Sequence, residues 1–366
     1  MTFGLPRVLS GFALATAALA QSSSPLPGMP PVLNPADIYA ADHAGEVAAS
    51  VRNFPALVYV PNSKSDTVDV IDQKTFKIVG HFPSGGKEPQ HVVPQYDMKR
   101  LWVINDLGDT ATDIDPATGK RGKTIPVEDP YNMYYTPDGK FAIVVAERKQ
   151  KLNFLDPQTM KLVDSVPVSC PGIDHMDFTS DGRYLIASCE FSAQVVKVDV
   201  ANHKVVGTLS VEKGGMPQDV KTSPDGKVFY VADMMANGIY LIEPDSFKRI
   251  GFIATGKGAH GLYVSRDSKV LYISNRGEGS VTVLDLSTRK ILTKWMIPRG
   301  GSPDMGGVSA DGKQLWLSGR YHSEVYVFDT DNGKLLARIP VGKGPHGLCV
   351  YPQPGRYSLG HTGVFR

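Results

Sequence analysis

A fifteen-residue pattern returns seven times after Pro55, and such a repeat limits what the chain can become more than any other feature. Aligned on the acidic residue that closes each copy, the stretches are 58-VYVPNSKSDTVDVID-72, 101-LWVINDLGDTATDID-115, 142-AIVVAERKQKLNFLD-156, 185-LIASCEFSAQVVKVD-199, 229-FYVADMMANGIYLIE-243, 271-LYISNRGEGSVTVLD-285 and 315-LWLSGRYHSEVYVFD-329. Their closing residues, from Asp72 to Asp329, fall 41 to 44 residues apart, and the copies align without a gap.

Each copy alternates apolar and polar residues on both sides of a short loop, which predicts two strands. A turn such as 116-PATGK-120 follows, then a third strand such as 335-LLARIPV-341. A glycine-rich link leads into a fourth strand of the type 259-AHGLYV-264, which ends on a turn such as 223-SPDGK-227. Four short strands per unit make a blade, so the chain is read as an all-β, seven-bladed β-propeller spanning residues 55–351. The first copy has three strands and lacks the innermost one, whereas residues 347–350 form an innermost strand with no sheet of its own. Joined, they complete the seventh blade and remove two edges.

The unit resembles the YVTN-type β-propeller repeat family, on the evidence of 58-VYVPN-62, 68-VDVID-72, 344-GPHG-347 and 223-SPDGK-227. The resemblance implies the propeller fold and a periplasmic or surface location. It implies no particular activity, because propellers host many.

Outside the repeat, Arg7 precedes an apolar run over residues 8–20 that ends in Ala18-Leu19-Ala20, the order of a secretory signal peptide cleaved near Ala20. The expected location is periplasmic or secreted, with no membrane span in the mature chain. Residues 21–54, rich in proline and alanine, read as an arm with one short helix after Asn34-Pro35. The tail, 352–366, has no assigned role. A net charge of +2 with both signs mixed and no basic stripe argues against nucleic acid as a partner. A monomer is expected.

In a propeller, repeated positions become rings around a central channel. One ring, at the start of the innermost strands, is Gln90, Tyr131, Asp174, Gln218, His260, Asp304 and His346, and the next residues include His91 and His175. A loop ring holds Asp106, Glu147 and Glu190 on one side and Arg276 and Arg320 on the other, with Tyr321 and His322 nearby. His260, Asp304 and His346, on consecutive blades, offer transition-metal ligand types. The competing reading is that Gly-Pro-His-Gly is a repeat consensus whose histidines bond neighbouring blades or water. Arg276 and Arg320 suit a carboxylate or phosphate, held with His91, Tyr321 and His322, unless they are merely solvated. Met133, Met176, Met216, Met234, Met235 and Met305 could join Cys170, Cys189 and His175 as soft ligands for copper, against the alternative of methionine as core filler.

Cys170 and Cys189 end neighbouring strands of one hairpin and are expected to form a disulfide. No nucleophile-and-base motif, zinc-protease motif, phosphate loop or covalent haem motif is present. Two functions follow. The first is a periplasmic binding or scaffold protein presenting a polar channel mouth to a small anionic ligand, a metal or a partner protein. The alternative is a metal- or haem-dependent enzyme using the same mouth, in which His260 or His346 would be an axial ligand and Arg276 and Arg320 would meet haem propionates. That alternative resembles the haem domain of nitrite reductases and lacks its eighth blade.

Overall fold

The computed structural model describes residues 1–2, 24–361 and 365–366. The signal-peptide expectation falls on residues 8–20 and so lies outside them. The described residues form seven antiparallel sheets of four strands each. The innermost strands are Pro89–Pro94, Asn132–Tyr135, Ile173–Phe178, Pro217–Thr222, Ala259–Val264 and Pro303–Val308 for blades 1 to 6, and Cys349–Tyr351 for blade 7.

Period-2 alternation decides which neighbour each side chain meets. In the blade 7 strand Leu57–Asn62, Leu57 and Tyr59 pack with Val92, Leu101 and Val103 of blade 1. Val58 and Val60 pack instead with Trp316 and Val325 of blade 6. Central strands are therefore buried on both faces, whereas outermost strands such as Lys204–Ser210 alternate between exposed and half-buried residues. The acidic residue that closes each repeat caps the turn into the outermost strand: Asp72 Oδ1 accepts from Thr75 N at 2.7 Å, and Asp285 Oδ1 accepts from Thr288 N at 2.6 Å. In the Ser-Pro-Asp-Gly-Lys turn, Ser223 Oγ donates to Asp225 Oδ1 at 2.7 Å and Gly226 takes φ +69°, a conformation that favours glycine.

Closure joins the two ends of the repeat. Leu57, Val58 and Tyr59 pair with Tyr351, Val350 and Cys349. The innermost strand of blade 7 starts later than the expected residue 347, because Gly347 turns toward blade 1. Its N–H donates to Gln90 O at 2.9 Å, and its carbonyl accepts from Val92 N at 3.0 Å.

The arm expected to carry a short helix has, among its described residues, only the 3-10 turn Ala40–Asp42, and it packs against the propeller. Leu26 N donates to Asp181 O, Ile38 N to Pro224 O and Gly45 N to Ala310 O, so it crosses the inner-strand turns from blade 3 to blade 6. Asp42 pairs with buried Arg266. The tail lies on the same face. Ser358 N donates to Tyr96 O and Tyr135 N to Leu359 O, while Arg366 Nη2 reaches buried Asp177 at 3.0 Å. Among the described residues, no helix is long and apolar enough to cross a membrane.

Candidate functional site

In an uninterrupted strand, successive side chains would point to opposite faces. Most innermost strands break this rule at their start. Their pairing with the next strand slips between Ile173 and Met176, between Pro217 and Val220, between Ala259 and Leu262, and between Pro303 and Gly306. A bulge re-aims side chains. Consecutive residues such as Asp174 and His175 are both fully buried in the middle of the ring.

Five of the nine histidines meet there, in two layers. The outer layer is built on Asp304. Its Oδ1 lies 3.1 Å from both His260 Nδ1 and Arg276 Nη1, and its Oδ2 lies 3.7 Å from His346 Nε2 and 3.9 Å from Arg320 Nε. The repeat alignment had placed these five residues on neighbouring blades, and the structure gathers the other four around the Asp304 carboxylate. Burial raises the pKa of Asp304, and the two guanidiniums oppose that rise. The inner layer contains His91, His175 and His361, each fully buried.

The remaining expected ligand residues separate. Tyr321 is exposed and lies beneath the Arg276 guanidinium at 5.5 Å. His322 Nδ1 bonds Ser302 Oγ at 2.9 Å instead of facing the cluster. His91 belongs to the inner layer, its ring 4.8 Å from that of His346. The alternative, that both arginines are merely solvated loop charges, does not hold: Arg276 is only 8% exposed and Arg320 18%, because a fully buried Asp304 demands counter-charge.

Cys170 and Cys189 form a disulfide, with Cα atoms 5.9 Å apart. Neither can then act as a thiolate ligand, and the copper set does not assemble. Met133 and Met176 fill separate apolar clusters and Met235 is exposed, though Met305 Sδ does lie 3.1 Å from His260 Nδ1. Gly347 has a packing role, since a Cβ there would overlap His91 Nδ1.

Across the mouth, burial raises the acidic side above the ordinary carboxylate range, and Glu147 is the member carried past neutral pH. Burial, reinforced by Glu190, pushes Glu147 up to about 8, and burial pushes Asp106 up to about 6 against the pull of Arg148. Asp174 is raised well above the carboxylate range by burial and by Glu190 and Glu147. The histidines shift the other way. Burial lowers His91, His260, His346 and His361 well below the usual imidazole value and His175 to about 3, so all five are neutral. His361 escaped sequence reasoning because it lies in the tail, beyond the repeat that aligned the other four.

Fold and channel together define a seven-bladed propeller whose mouth is crowded with ionisable groups. The chain belongs to the YNCE-like beta-propeller family, whose profile matches residues 18–156 and 208–354. A 130-residue stretch is 28% identical to an uncharacterized protein of Lactococcus lactis subsp. cremoris (strain MG1363), and it takes in 31% of this chain and only 38% of that protein's length. Among solved structures, the chain is similar to Kuenenia stuttgartiensis hydrazine synthase, with a TM-score of 0.65, 20% identity, and coverage of 79% of this chain and 98% of that one. It is also similar to the dihydro-heme d1 dehydrogenase NirN in complex with DHE, with a TM-score of 0.61, 17% identity, and coverage of 88% and 82%. At these identities the likeness shows the fold alone.

Proposed function

We propose that this chain is an exported ligand-binding propeller whose channel mouth takes a small anion bearing two or more oxygens, such as a carboxylate or phosphate. The observation that carries this reading is the state of Arg276. One of its nitrogens pairs with Asp304, Nη2 faces only the Met234 thioether at 2.8 Å, and Nε has no hydrogen-bond partner among the described residues. A nearly buried guanidinium with unused donors is matched by an oxyanion, which can accept two N–H bonds side by side. Arg320, less buried and more loosely held, stands beside it at the rim. Glu147 opposite, with its pKa raised to about 8, is largely uncharged at pH 7 and lowers the electrostatic cost of an incoming negative charge.

The same two guanidiniums work against a divalent cation held by His260, Asp304 and His346, so the anion is favoured at this layer. Export rests on the pattern of residues 7–20. Binding of a small-anion panel (nitrate, phosphate, acetate, succinate) by calorimetry tests the reading on protein stripped with chelator. At least one should bind, and Arg320→Gln and Arg276→Lys should each weaken it by roughly tenfold or more, the loss of a charge-assisted hydrogen bond. Absence of binding across the panel, or affinity indifferent to both substitutions, overturns it.

A further inference from the structure

Beneath the proposed anion site lies a group of side chains that the anion reading leaves unused. His91 comes from blade 1 and His175 from blade 3. His361 comes from the tail, where His361 N donates to Met133 O at 3.1 Å and Gly360 pairs with Tyr134. The rings are close, with centroids 5.3 Å apart for His91 and His175, 5.1 Å for His91 and His361, and 4.6 Å for His175 and His361. One nitrogen from each can be chosen so that all three lie within 4.8 Å of one another.

Hydrogen bonding singles the cluster out. Neither nitrogen of His91 has a hydrogen-bond partner among the described residues, and neither does Nε2 of His175 or of His361. A buried polar group left without a partner costs about 1–3 kcal/mol, so four in one cluster call for a ligand. The other nitrogens of His175 and His361 are held together, since Asn132 Nδ2 lies 3.1 Å from Nδ1 of each. One carboxamide thus orients two imidazoles, the outer support that metal-bound histidines usually have. If both ligate through Nε2, their protons move to Nδ1 and the Asn132 amide turns over to accept both.

Groups of both signs surround the cluster. Asp174 Oδ1 lies 3.3 Å from His175 Nε2 and Asp219 Oδ1 3.8 Å from His361 Nε2, while Lys221, Arg276 and Arg320 act on the rings from the positive side. We propose that His91, His175 and His361 form a three-imidazole site for a divalent first-row transition metal, with the C-terminal tail supplying the third ligand. Three neutral imidazoles with no thiolate suit zinc, cobalt, nickel or copper(II). Metal–nitrogen bonds of about 2.0–2.1 Å require the nitrogens to close in by roughly 1 Å, a displacement side-chain rotation supplies. Metal binding would then fasten the tail into the channel and stabilise the fold increasingly as free metal exceeds the Kd.

The experiment is cobalt(II) and zinc binding to the full chain, purified without a histidine tag. Metal content after dialysis and the cobalt visible spectrum are the readouts. About one equivalent should bind. His361→Ala and His91→Gln should each remove it, whereas His260→Ala, His346→Ala and Arg320→Gln should retain it. His91→Gln, outside the tail, decides the matter if His361→Ala disturbs folding. No metal above background overturns the proposal. So does an ion lost in His260→Ala or His346→Ala but retained in His361→Ala and His91→Gln, which would place the metal in the outer layer.

Discussion

Asp304 is a fully buried carboxylate whose counter-charge comes mainly from Arg276. Removing one partner of a buried pair leaves the other charged or protonated in an apolar setting. Arg276→Ala should therefore cost about 3–5 kcal/mol of stability, whereas Arg320→Ala, 3.9 Å away and partly solvated, should cost about 1 kcal/mol or less. Denaturant unfolding measures both, and Arg276→Ala/Asp304→Asn should recover most of the loss. An Arg276→Ala protein as stable as the parent would mean that Asp304 needs no counter-charge. Glu147 yields a pH dependence. Its folded pKa of about 8 lies above the unfolded value, so the folded chain keeps a proton that the unfolded chain releases near pH 4.5, and stability falls as pH rises toward 8. The buried histidines act oppositely, but their contribution is lost only as pH drops below about 6.5. Between pH 6.5 and 8 the parent should lose about 1 kcal/mol that Glu147→Gln does not.

Strand starts decide how much of the site could be read in advance. The alignment put His260, Asp304 and His346 at one position on successive blades, and that was enough to forecast their convergence. It could not show that His91 and His175, one residue further along, would also face inward, because strict alternation forbids it and only the local slips in pairing allow it. It also left open whether the guanidiniums on the loops were solvated, since burial of a loop residue depends on what stands across the ring. Blade 3 carries a further check. The Cys170–Cys189 disulfide closes a separation of 19 residues, for which chain entropy suggests about 3 kcal/mol of stabilisation. Mass spectrometry without reductant should find two protons fewer than three thiols require, and reduction should lower the melting temperature. Three free thiols in the oxidised protein would end this expectation.

Ring closure depends on one short strand, and the segments on either side of the repeat reinforce it from below. Cys349–Tyr351 supplies the inner edge of blade 7, and Gly347 binds that strand to blade 1. Past it, the tail contacts the arm, where Gly355 N donates to Glu46 O, and reaches Asp177 through Arg366. The repeat announced the closure, but no periodicity marks residues 24–54 or 352–366, so their packing had to be observed. Two truncations separate the contributions. A chain ending at Lys343 loses the inner strand and exposes the edge of Leu57–Asn62, so it should aggregate or melt without cooperativity. A chain ending at Pro354 keeps the closed ring and should melt cooperatively. Its midpoint should nonetheless be lower, because buried Asp177 has lost Arg366. If the Lys343 truncation melted like the full chain, the paired strand would not be what closes the propeller. If the Pro354 truncation did so, the tail's buried ion pair would contribute nothing to it.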